Sequence, residues 1–168
     1  LSLHCEQSEL MRVFIDRVKA NGDPQTLKAY HDGRPPLTER VAIGEATTIA
    51  SHTGTNINLL HLSSADAVAA AVQARDAYPW VDMRFETTLH HLCLDHDTLD
   101  AKGGLGGKVN PPIRTKADNE VLWDRVKRGD VQWVASDHAC CMEELKGDKI
   151  WPATPGFVAD VEIANQLA

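Results

Sequence analysis

Val131-Gln132-Trp133-Val134-Ala135-Ser136-Asp137-His138-Ala139 is a β-branched and aromatic run that stops abruptly at an acid and an imidazole. Strand side chains alternate between faces, so the sequence predicts Val131, Trp133, Ala135 and Asp137 on one side. A carboxylate at the tip of an apolar strand face is costly to bury without a partner. Asp137 therefore reads either as a cap of the following turn or as a group answering to a metal or a substrate proton.

Working outward, the same punctuation recurs. Leu1–Cys5 reads as a buried strand ending at His4, and Ile57–Leu62 as a strand ending at His61. Val81–Thr87 is a third, with Val81, Met83 and Phe85 on its apolar face and His90 and His91 just beyond it. Between the strands the apolar period becomes helical. Leu10, Met11, Phe14, Ile15 and Val18 mark one helix, stopped by Asn21-Gly22-Asp23-Pro24. A polar loop then leads to Arg34-Pro35-Pro36. A second helix runs from about Thr38 to Gly54, with Val41, Ile43, Ala46, Ile49 and Ala50 inward. Ser64 caps a third over 65–77. Residues 93–113 read as a long loop, Thr115-Lys116-Ala117-Asp118 as a capping-box start of a further helix, and 158–168 as a last helix. Short buried strands alternating with helices predict an α/β fold with a parallel sheet.

Net charge is −7, which argues against nucleic acid or an anionic membrane surface as the partner. No apolar run approaches the roughly 18 residues of a membrane span. The four cysteines, Cys5, Cys93, Cys140 and Cys141, form no CxxC pair, so reduced thiols in a cytoplasmic protein are expected. Cys5 should alternate away from His4 and pack against helices. Leu1 is not Met and lies inside a strand-like run, so the expectation is a piece of a longer protein.

Parallel strands bring the ends of distant segments to one rim, where barrel enzymes place their chemistry. Each strand-end histidine alone is most simply structural. His4, His61 and Asp137 together form a zinc-type donor set of imidazoles and carboxylate. Gly103–Lys108 fails the phosphate-loop spacing. Ser136-Asp137-His138 puts triad residue types on opposite faces of one strand. Glu86 is expected to pair with Arg84 or to lie in Arg-rich surroundings, and His31, His52 and His96 to be solvated.

Six blocks, in order, resemble the cyclic amidohydrolases: dihydroorotases, allantoinases and hydantoinases/dihydropyrimidinases. They are His4-Cys5-Glu6, Arg34-Pro35-Pro36, Leu60-His61-Leu62-Ser63-Ser64, Glu86-Thr87-Thr88-Leu89-His90-His91-Leu92, Lys108-Val109-Asn110-Pro111-Pro112-Ile113-Arg114 and Ala135-Ser136-Asp137-His138-Ala139. The resemblance implies a partial TIM-type (β/α)8 barrel, about four strands of its C-terminal half, with residues 1–168 a fragment of one barrel domain. It implies a metal-dependent hydrolase that opens a cyclic amide C–N bond by metal-activated hydroxide. His4 and His61 would ligate the more exposed metal of a zinc pair. Asp137 would ligate the more buried metal and act as general base and acid. Asn110 and His138 would contact the substrate, with His90 nearby. Two Zn2+ per full-length subunit, an upstream carboxylated lysine, a small cyclic amide or ureide substrate and a homo-oligomer follow from the same resemblance. The alternatives are a non-catalytic assembly protein on this fold and a mononuclear-zinc deaminase-type hydrolase. Cys140 departs from the proline common after Asp-His-Ala in this family; two small buried side chains are expected at Cys140 and Cys141.

Overall fold

The computed structural model describes residues 1–156, and the helix expected over 158–168 lies outside the described residues. Four parallel strands stand side by side in chain order: β1 (Ser2–Leu3), β2 (Ile57–Leu59), β3 (Met83–Thr88) and β4 (Trp133–Ala135). Ser2 is level with Asn58, Asn58 with Arg84, and Glu86 with Trp133. Parallel neighbours require a crossover at each step. Helices supply them: α1 (Ser8–Ala20), α2 (Leu27–Gly33) and α3 (Pro36–Thr53) follow β1, and α4 (Ala65–Ala77) follows β2. After β3 come the short α5 (Leu89–Cys93) and α6 (His96–Asp100), then α7 (Lys116–Lys127). This is the α/β arrangement of a partial barrel wall. Among the described residues no helix is long and apolar enough to cross a membrane.

The core lies between the sheet and its helices. Ile57, Leu59, Met83 and Phe85 meet Ile43 and Ala50 of α3, Val68 and Ala71 of α4 and Leu122 of α7. Cys5 joins this cluster, so β1 turns Leu3 and Cys5 inward and His4 the other way. Helix starts follow their caps. Ser64 accepts from the Ala67 amide, and Thr115 and Asp118 form a reciprocal capping box. Asp118 also accepts from the Ala65 amide at 2.9 Å, so one carboxylate ties together the starts of α4 and α7.

Several expectations need correction. The stretch before Arg34 is not simply a polar loop. Thr26 caps α2, which buries Leu27 and Tyr30 beside Ile150. Residues 93–113 are partly helical: α6 is capped by Asp95 and packs on α2. Ile49 faces solvent, because α3 spends its inward positions on Ile43, Thr47 and Ala50. His96 is buried, its ring 5.0 Å from that of His31, which is itself half-buried; of the three histidines expected in solvent only His52 is exposed. Trp133 is 43% exposed, and Asp137, expected at the tip of a buried strand face, is also exposed. The reason is that β4 pairs only with β3 among the described residues, so its outer edge is bare. Cys140 is exposed and Cys141 half-buried, against the two buried side chains expected.

Candidate active site

His4 and His61 meet although 57 residues separate them. His4 Nδ1 lies 3.0 Å from His61 Nε2, and the rings stand edge to face with centroids 4.7 Å apart. Strand alternation puts His4 on the face opposite Cys5. Position 61 has the parity of the core residues Ile57 and Leu59, so a regular strand would carry its imidazole into the core. Instead the backbone at His61 is left-handed, φ 36°, which takes the ring out of that alternation. A non-glycine residue there costs on the order of 1–3 kcal/mol and concentrates at functional sites. Asp137 is also left-handed, φ 47°.

Burial pushes the His61 imidazole down to about 4, and the His4 ring adds to this while the Asp137 charge opposes it. His61 is therefore neutral near pH 7, as a ligand must be. Its Nδ1 is buried without a hydrogen-bond partner. Two nitrogens sharing a tetrahedral zinc at ordinary bond lengths stand about 3.3 Å apart, so the 3.0 Å pair suits a cation with little movement. The expected third donor does not close the set. Among the described residues, no group of three His, Cys, Asp or Glu side chains is placed to hold a metal ion. Asp137 is near enough to act electrostatically on His61, but it sits exposed in the irregular segment that follows β4.

His138 is exposed beside Asp137, whereas His90 is fully buried in α5 with its ring 4.5 Å from that of His91. Asn110 precedes a cis bond to Pro111, and its Oδ1 accepts from the Tyr30 hydroxyl at 2.6 Å. His91 supports this segment. Its Nε2 donates to the Pro111 carbonyl (3.0 Å) and its Nδ1 accepts from Thr88 (2.7 Å). Burial, then His90, drives its pKa well down, consistent with a neutral ring locked in one tautomer.

Sequence reasoning assigned no role to Glu6, Arg34, Tyr30 or His91. Glu6 Oε2 lies 3.0 Å from His4 Nε2, and Arg34 grips both Glu6 oxygens. Burial pushes the Glu6 carboxyl up, but hydrogen bonds from His4 and Arg34 and the neighbouring guanidinium charges leave it below its ordinary value. The signal was present: Glu6 and Arg34 stand inside two of the six matching blocks. Glu86 does not pair with Arg84, which takes Asp82; Glu86 accepts from the Trp133 indole at 2.9 Å.

No family model matches the chain. It is 31% identical over 167 residues to an allantoinase of Bacillus licheniformis and 32% identical over 167 residues to a dihydroorotase of Halobacterium salinarum. These alignments cover 97% and 99% of this chain but 36% of each relative, so the chain spans about a third of the curated relatives' length. A D-hydantoinase (dihydropyrimidinase) from Thermus sp. superposes with a TM-score of 0.87 at 24% identity, over 99% of this chain and 37% of that one. A dihydropyrimidinase from Brevibacillus agri gives 0.83 at 27% identity, over 94% and 35%.

Proposed function

The chain belongs to the cyclic amidohydrolases, and we propose that it carries the downstream part of a metal-dependent active site that opens a cyclic amide. The observation that carries this reading is the meeting of His4 Nδ1 and His61 Nε2 at the ends of two neighbouring parallel strands. The curated relatives, an allantoinase and a dihydroorotase, support the substrate class. His4 and His61 would hold zinc, with Asp137 drawn in from its exposed position after β4 once a cation offsets the cost of bringing the carboxylate closer. A bound divalent cation supplies an acidified water and a polarised ring carbonyl.

The chain's own residues supply the rest. Asp137 takes the proton of the attacking water and returns it to the departing ring nitrogen, a task suited to a carboxylate that can move between the two positions. Asn110 meets the substrate ring, its segment braced by His91 through Pro111. His138 stands at the open side, next to Asp137. Residues 1–168 belong in this reading to one barrel domain whose full-length form holds two zinc ions with a carboxylated lysine from upstream and assembles as a homo-oligomer.

The test is a panel of allantoin, dihydroorotate, hydantoin and dihydrouracil, offered with zinc to the full-length protein and to its Asp137→Asn variant. One ring should be opened, and the variant should lose at least about a thousandfold in kcat with its melting curve unchanged, the scale of removing a general acid–base. Near-parent turnover by Asp137→Asn would sink the proton-transfer role. Hydrolysis of none of the four rings would sink the substrate class.

A further inference from the structure

One thread of hydrogen bonds joins the histidine pair to the segment of Asn110. Arg34 Nε donates to Glu6 Oε1 at 3.0 Å and Arg34 Nη2 to Glu6 Oε2. The Glu6 side chain is wholly buried and that of Arg34 11% exposed, so this is a desolvated pair whose members cannot separate cheaply. Its fork geometry fixes the carboxylate plane. The other neighbour of Glu6 Oε2 is His4 Nε2, 3.0 Å away. An ionised carboxylate only accepts, so the His4 proton must sit on Nε2. Nδ1 is then the bare nitrogen, and it faces His61.

The other end of Arg34 has an equally fixed direction. Its Nη1 donates to the Tyr30 hydroxyl oxygen at 2.6 Å, which leaves the hydroxyl proton for Asn110 Oδ1, also at 2.6 Å. Guanidinium has no acceptor, so the Asn110 amide is held with its oxygen toward Tyr30 and its NH2 turned away.

We propose that Glu6, clamped by Arg34, is a positioning residue that holds His4 as its Nε2–H tautomer with Nδ1 presented, and that Tyr30 carries the same clamp to Asn110. The metal-binding consequence rests on the reading of His4 as a ligand; the tautomer does not. Carboxylates behind ligand histidines ordinarily contribute 10- to 100-fold in metal affinity, and here one arginine sets that carboxylate and the asparagine together.

Nitrogen NMR of the histidine rings in the metal-free chain reads the tautomer directly, and competition against a chelator reads the affinity for zinc alone. The parent should show His4 protonated at Nε2. Glu6→Gln should give mixed tautomers and about 10- to 100-fold weaker zinc binding. Arg34→Lys keeps the buried charge pair but not the fork; it is the second arm should Glu6→Gln fail to fold. It touches nothing on His4, yet should weaken zinc by at least about threefold. Tyr30→Phe should shift the Asn110 side-chain amide signals and leave the His4 tautomer alone. A parent His4 protonated at Nδ1, or a Glu6→Gln chain with parental tautomer and zinc affinity within about twofold, overturns the proposal. A parent that shows the Nε2–H tautomer, shifted by Glu6→Gln, but binds no zinc refutes the metal reading and leaves the positioning role standing.

Discussion

His31 shows how much a single imidazole can set. Burial pushes its pKa down to about 4, with the Arg114 and His96 charges adding to the effect. Its Nδ1 lies 3.3 Å from Arg114 Nη1, the guanidinium donating. Between pH 6.5 and 4 the unfolded chain binds a proton that the folded chain refuses, so stability rises with pH through this window and falls as acid is added. The full loss, reached below about pH 4, is on the order of 3 kcal/mol. His31→Gln keeps an acceptor for Arg114 and does not titrate. Urea unfolding at pH 6.5 and pH 4.5 should show a markedly smaller difference for the variant, and an equal one would remove His31 as the cause. At this scale the sequence was informative where a polar residue ended an apolar run, as at His4 and His61. Glu6 and Arg34 stood in matching blocks, but their pairing was not legible, because a charge in an irregular segment reads as solvated until its partner, 28 residues away, is brought beside it.

The elements with strong local signals were legible. α4 and α7 begin where Ser64 and the Thr115–Asp118 box put them, and α3 ends at Gly54, left-handed at φ 69°. Short elements were not: α2, α5 and α6 have seven, five and five residues, too few for an apolar period to repeat. Caps rather than periodicity define them, since Thr26, Thr88 and Asp95 each accept an amide of the first turn. Thr115→Ala removes one half of the capping box and should cost about 1 kcal/mol, read as a lower urea midpoint with unchanged slope. Gly104 permits a different contact. A Cβ there would stand 2.7 Å from the Leu99 carbonyl oxygen, which is backbone and cannot swing aside. Gly104→Ala should therefore loosen the end of α6, seen as faster amide exchange at Gly104, whose N–H bonds that carbonyl.

For the whole molecule, the parallel sheet and the inward face of β3 followed from apolar runs, whereas the exposed face of β4 and the buried Arg114–Glu39 pair did not. Arg114 and Glu39 are both essentially inaccessible, 2.8 Å apart, with Ser63 bonded to each. Arg114 also donates to the Arg34 carbonyl, so it knits α2, α3 and the start of α4 at one point. Arg114→Met strands the Glu39 carboxylate and should cost about 3–5 kcal/mol; replacing both partners by apolar residues of similar volume should cost far less. A double-mutant cycle from denaturant melts measures the difference. Lys108 is a second such point. Its ammonium donates to the carbonyls of Ile150, Trp151 and Ala153, so Lys108→Met should expose the 145–156 segment to limited proteolysis before the sheet is touched. The left-handed backbone at His61 and Asp137 sets a limit on engineering. Glycine adopts that conformation freely, so a directed-evolution campaign that rewards only heat resistance should drift toward glycine at positions 61 and 137. Its winners would be sturdier chains stripped of the side chains that give the rim its chemistry, and any useful screen must therefore select for turnover and heat resistance together.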